Sequence, residues 1–200
     1  MTVMGTVTEL WVFPVKSMSG SRVDSAQLDA GGLQGDRSWA VVDTGTGETV
    51  TAKQEPRLRE CVARVVGGRL EVDVPGAPAG LDEDAAAQAL SGWLGRGVRL
   101  EHRGGAGFVD VAPVHLVSTA SMHDAAHAEE CDACDVAAPR ANVVLDGVTG
   151  AGSEQDWVGR QLAAGSSGLA VVRRPKHCLG VYADVSVPGT LAVGDEVRSD

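Results

Sequence analysis

Apolar and polar side chains alternate in short runs over the first hundred residues. A glycine, a proline or a charged cluster ends each run. A period of two marks strands with one buried face. "TVTELWVFPV" (6–15) is rich in β-branched and aromatic residues and ends near Pro14. "SRVDSAQLDAGG" (21–32) ends in a glycine pair. "RSWAVVD" (37–43), the turn "TGTGE" and "TVTAK" (49–53) predict a hairpin. "CVARVV" and "LEVDV" predict a second over 61–74, with Gly67 and Gly68 at its turn. At "DEDAAAQALSGWL" (82–94) the period becomes helical, and Ala85, Ala86, Ala89, Leu90, Trp93 and Leu94 share one stripe. Acids fill the first turn, where the helix dipole favours them, and Gly95 follows the last. "GVRLEHR" (97–103) returns to strand.

"RGGAG" (103–107) is the best internal boundary, dividing the chain into halves 1–105 and 106–200 that share one core. Beyond it, "APVHLVS" (112–118) predicts a strand and residues 119–130 a polar, alanine-rich helix. "ANVVLDG" (141–147) reads as strand and "EQDWVGRQL" (154–162) as a short helical turn. "LAVVRRP" (169–175), the run after Cys178 and "GTLAVGDEV" (189–197) read as strands. Many short strands, glycine-rich turns and few, short helices predict a mainly β fold, a closed or nearly closed barrel.

Composition narrows the function classes. Forty-four per cent of the 200 residues are hydrophobic and 22% charged, an ordinary globular mix. The net charge of −10 argues against nucleic acid as a partner, because phosphate contacts need a basic surface. The N-terminus has neither the cationic region nor the apolar run of a signal peptide, and no stretch is long enough to span a membrane. Four cysteines without a leader fit a reducing cytoplasm, with thiols free or metal-bound.

Cys178 stands in "RRPKHCLGVYADV", closely preceded by Arg173, Arg174, Lys176 and His177. Positive charge favours a thiolate, the reactive and metal-binding form. Alone, the stretch also fits a buried, inert cysteine. Other polar units accompany it. "FPVKS" ends a strand with Lys16 and Ser17, and "GLQGDRSW" places Arg37 at a strand start. "PRANVVL" puts Arg140 and Asn142 on one side of an extended segment. Arginine forks suit phosphate.

In this order the motifs resemble the family that joins an N-terminal β-barrel to a MOSC domain, which includes the mitochondrial amidoxime-reducing component and the C-terminal part of molybdenum cofactor sulfurase. The resemblance runs from "ELWVFPVKSMSG" to "GTLAVGDEV". It implies a MOSC-type barrel that binds the molybdenum cofactor, molybdopterin. Lys16, Ser17 and Arg37 would hold its phosphate end, Ser118, Thr119 and Ala120 would line the pterin, and Arg140 would grip it with help from Asn142. Cys178 would ligate molybdenum, after Lys176 and His177. The implied activity is reduction of small N-hydroxylated or related N–O or S–O substrates, with electrons from a separate donor protein. A persulfide carrier on Cys178 and a non-enzymatic cofactor carrier are the alternatives. The chain departs from the amidoxime-reducing pattern in its short connection from Cys178 to Gly189. The aminotransferase-like domain of full-length sulfurases does not fit in 200 residues, so pyridoxal phosphate has no support.

One further set stands apart. His123, His127, Cys131 and Cys134 follow the spacing H-x3-H-x3-C-x2-C, which suits a closed zinc site. Among Glu129, Glu130, Asp132 and Asp135, the same residues also fit a solvated helix end.

Overall fold

The computed structural model describes residues 1–105, 107–126, 140–148, 154–176 and 179–199. Its strands are β1 (Thr2–Val12), β2 (Ser21–Val23), β3 (Ser25–Asp29), β4 (Gly32–Leu33), β5 (Trp39–Asp43), β6 (Val62–Val66), β7 (Arg69–Asp73), β8 (Val98–His102), β9 (Val114–Ser118), β10 (Val143–Asp146), β11 (Gln161–Ala164), β12 (Ser167–Arg173), β13 (Val181–Val187), β14 (Gly189–Ala192) and β15 (Glu196–Ser199). Among the described residues the α-helices are α1 (Glu83–Leu94) and α2 (Thr119–Ala126), and 3₁₀ turns lie at Pro56–Glu60 and Glu154–Trp157. No helix among them is long and apolar enough to cross a membrane.

The fold is mainly β, as its patterning predicts. In the largest sheet the order β10-β9-β13-β12-β11-β15-β1 closes on itself, because β1 also pairs with β10. The result is a seven-stranded barrel, with β2 paired to β1 as an eighth strand.

The chain forms two compact units. One comprises Met1–Trp11, Arg22–Gln34 and Asp110–Asp200, the other Val12–Ser21 and Gly35–Val109. The sequence places a break near residue 105, and the chain last crosses between units at Val109–Asp110. The N-terminal strand belongs with the later residues because it is a barrel stave, paired with β10 and β15.

In the barrel unit, all five residues of β9 are buried. The strand lies between β10, which runs parallel to it, and antiparallel β13. A strand paired on both sides and covered on both faces reads as one apolar run. From β9 the chain enters α2 and returns as β10. Leu10, Leu116, Leu145, Leu169 and Trp157 are fully buried here. The strand expected over 189–197 is two strands, β14 pairing with β3 and β15 with β1 and β11. The helical turn expected over 154–162 is the 3₁₀ turn followed by β11.

The other unit departs from the sequence reading in one pairing. Trp39–Asp43 is a strand, and "TGTGE" is a turn stapled by Asp43 Oδ1, which accepts from the Gly45 and Thr46 amides. Yet β5 pairs along its length with β8, from Trp39↔His102 to Asp43↔Val98. Residues 49–53 contribute a single bridge, Val42↔Thr49. The hairpin of β6 and β7 forms as expected, with Gly67 and Gly68 at φ 57° and 80°. Both angles are positive, as a two-residue type I′ turn requires. Helix α1 starts where Asp82 Oδ1 accepts from the Ala85 amide at 2.9 Å. Its inner face packs Ala86 and Leu90 into a core with Leu58, Cys61, Val72 and Leu100.

Candidate functional site

The sequence-predicted residues fall in both units, and each unit arranges its own set. In the unit of residues 12–21 and 35–109, Lys16 and Ser17 occupy a tight turn closed by Met18 N–H donating to Val15 C=O at 3.2 Å. Ser17 is its third residue, at φ 72°. Turns with a positive angle there usually carry glycine. Arg37 is also left-handed, at φ 48°. Among the described residues these two are the non-glycine positions with positive φ. Such conformations cost about 1–3 kcal/mol each and cluster at functional sites.

Backbone bonds lock the two segments together. Lys16 N–H donates to Trp39 C=O, Arg37 N–H to Phe13 C=O, and Phe108 N–H to Arg37 C=O. Lys16 Nζ donates to Phe108 C=O at 3.1 Å. The Arg37 guanidinium lies 5.4 Å from the Phe13 ring centre and donates to Asp36. Asp36 is buried, and its other oxygen accepts the Phe13 amide at 2.8 Å. Asp36 thus aims Arg37 and offsets one of two cations. Sequence reasoning passed over it, although "GDR" puts it directly before the arginine. Arg103 stacks 4.2 Å from the Phe108 ring centre, so it too belongs to this cluster. The Trp39 indole N–H is buried with no protein acceptor, a group that costs about 1–3 kcal/mol when unmet. The cations and the Ser17 hydroxyl fit an anionic, hydrogen-bonding ligand.

In the barrel unit, Ser118, Thr119 and Ala120 form the junction of β9 and α2. Ser118 is buried, and its hydroxyl accepts from the Ser121 amide at 3.0 Å as a helix cap. It also donates to Glu154 Oε2 at 2.7 Å. The Ser118 amide donates to Glu154 Oε1 and the Ser121 hydroxyl to Oε2. Glu154, fully buried, therefore holds this corner with three bonds. Nothing in the glycine- and serine-rich stretch around it signals burial. Thr119 donates to Asp146 Oδ1 at 2.6 Å. That bond, followed by one from the Gly147 amide, keeps the Asp146 carboxyl below its usual range. Ala120 is exposed.

Arg140 is half-buried, two residues before Asn142. Asn142 is closed to solvent. Its Oδ1 accepts the His115 amide at 3.1 Å, and its Nδ2 donates to Trp11 C=O at 3.2 Å. It therefore ties β1 to β9 through backbone groups. Lys176 is exposed. His177 and Cys178 lie outside the described residues, as do His127, Cys131 and Cys134. The fourth zinc candidate, His123, is largely exposed on α2, 3.7 Å from the Asp124 carboxylate. Among the described residues no three His, Cys, Asp or Glu side chains gather as metal ligands would.

Comparison with known proteins locates one set within a family. Residues 4–96 match the MOSC N-terminal beta barrel domain. This stretch belongs to that family. The MOSC N-terminal match includes Lys16, Ser17, Asp36 and Arg37, and it draws on both compact units. The human mitochondrial amidoxime-reducing component 1 is 48% identical over 59 residues, and the bovine component 2 is 46% identical over 59. Each match takes in 28% of this chain and spans 17% of the relative's length. A solved structure of the YUAD protein from Bacillus subtilis aligns with a TM-score of 0.48 at 12% identity, over 96% of this chain and 93% of that one.

Proposed function

We propose that this chain binds the molybdenum cofactor and reduces small N-hydroxylated or related N–O or S–O compounds. The observation that carries the reading is the cluster around Lys16, Ser17 and Arg37. Two left-handed non-glycine residues, Ser17 and Arg37, and the cations Lys16 and Arg37 gather there within the MOSC N-terminal match. The names of the amidoxime-reducing relatives support the reaction type.

In this reading Lys16, Ser17 and Arg37 bind the cofactor's phosphate, and Asp36 holds the Arg37 guanidinium in place. Arg140 supplies a further cation. Ser118, Thr119 and Ala120 flank the pterin on a corner that Glu154 braces. Lys176 and His177 add positive charge beside Cys178, whose soft thiolate suits molybdenum. The bound cofactor supplies the redox chemistry. Reducing an N-hydroxyl group takes two electrons and two protons and releases water. A separate donor protein delivers the electrons. The carrier alternative draws on the short connection after Cys178, of which β13 takes seven residues.

The test is protein made in a host that synthesises the cofactor. Its molybdenum content and its reduction of an N-hydroxylated amidine with an artificial electron donor are measured together. The reading expects close to one molybdenum per chain, with turnover. Molybdenum without turnover under any donor favours the carrier, and protein without molybdenum overturns both.

A further inference from the structure

The geometry points to Ser38 as a further binding residue for the phosphate assigned to Lys16, Ser17 and Arg37, a role that rests on the proposed function. Val15 and Trp39 form an isolated parallel bridge. Bridged residues put their side chains on one face, and the residues beside them point to the other. Val15 and Trp39 both pack into the core of this unit. Lys16 follows Val15 and Ser38 precedes Trp39, so the two share the opposite face, and both are half-buried. A second contact brings them together. Lys16 Nζ donates to Phe108 C=O at 3.1 Å. Gly107, the residue before, lies so close that a Cβ on it would stand 3.2 Å from the Ser38 Cα and would collide with Arg37 C=O. Its φ of 54° also favours glycine. One short stretch of chain therefore touches both Lys16 and Ser38.

Ser38 is also held in place. Its carbonyl accepts the Arg103 amide at 2.8 Å. On either side of it, Arg37 N–H donates to Phe13 C=O and Trp39 N–H to Pro14 C=O. Yet no group among the described residues bonds to the hydroxyl or the amide of Ser38, nor to those of Ser17. Two fixed serines thus keep donors in reserve on the chain segments that carry Lys16 and Arg37. An ammonium, hydroxyls and amides all offer protons, so the ligand that suits them is an oxyanion with several acceptor oxygens. A phosphate monoester is such a ligand, and the cofactor's phosphate end is one source of it.

The test titrates inorganic phosphate into the whole chain, made without cofactor, and follows backbone amides by NMR. The Ser17 and Ser38 amides should move along one binding curve, and sodium chloride at equal ionic strength should leave them in place. Ser38→Ala removes one oxygen and should raise the phosphate dissociation constant roughly threefold to tenfold, the worth of one net hydrogen bond. Ser38→Asp sets a carboxylate against the ligand and should abolish the shift at Ser17. Ser19→Ala is the comparison. The Ser19 hydroxyl donates to Arg59 C=O at 2.7 Å on the same loop, so that variant should bind phosphate as wild type does. A Ser38 amide that phosphate does not move, an unchanged constant in Ser38→Ala, or equal losses in Ser38→Ala and Ser19→Ala overturns the proposal. Molybdenum content tests the parent reading separately. Phosphate bound here by a protein that never loads molybdenum refutes the cofactor and supports the role of Ser38. Molybdenum loaded equally by wild type and Ser38→Ala refutes the role of Ser38 alone.

Discussion

Ser17 holds a left-handed backbone in a turn position that glycine usually takes, at φ 72°. The strain makes sense if the hydroxyl is needed there. Ser17→Gly relieves it and removes the hydroxyl. The expected outcome is a stability change between zero and about 1 kcal/mol in favour of the variant, set by relief of strain against glycine's extra freedom when unfolded. Molybdenum occupancy should fall in the same variant. Thermal unfolding and elemental analysis check the pair, and a loss of both stability and occupancy would mean that Ser17 is structural. The sequence made Lys16, Ser17 and Arg37 visible because cations and hydroxyls at strand ends stand out. Asp36 and Glu154 stayed hidden because acids beside glycine and serine ordinarily face water, and burial depends on partners far along the chain.

At the scale of elements, the corner from β9 into α2 depends on Glu154. Replacing it by Leu would strip partners from the Ser118 amide, the Ser118 hydroxyl and the Ser121 hydroxyl. Bonds to a charged group are worth about 1.5–3 kcal/mol each, and unmet buried donors cost more, so Glu154→Leu should destabilise by at least about 3 kcal/mol. Asp156→Ala, exposed two residues away, should stay within about 0.5 kcal/mol. Urea denaturation of both variants measures the contrast, and equal effects would remove the bracing role. Elements set by local chemistry were legible, such as α1 with its Asp82 cap and the β6–β7 hairpin with its glycine pair. The pairing of β5 was not. Its turn forms as the residues suggest, but the longer partner lies at Val98–His102, and a local pattern cannot rank a distant strand against a near one.

For the whole molecule, the matched family stretch and the compact units divide the chain differently. Residues 4–96 include β1, yet β1 pairs with β10 and β15 from the far end. A fragment of residues 1–96 therefore loses two of the three partners of its first strand, β10 and β15, and keeps only the three-residue β2. It should lack cooperative unfolding in that segment, with β1 amides exchanging as in an unfolded chain, and protection there equal to the full chain would contradict this pairing. Such long-range pairing is also what the sequence conveyed least, since alternation reveals strands but not their order. The account as a whole turns on Cys178. Serine keeps the size but replaces a soft thiolate by a hard hydroxyl, a mild change for the fold. The most direct measurement is molybdenum content and N-hydroxyl reduction side by side in wild type and Cys178→Ser, both from a cofactor-competent host. The account predicts a folded variant that loses activity and most of its molybdenum, and a variant that keeps both at wild-type level would contradict it.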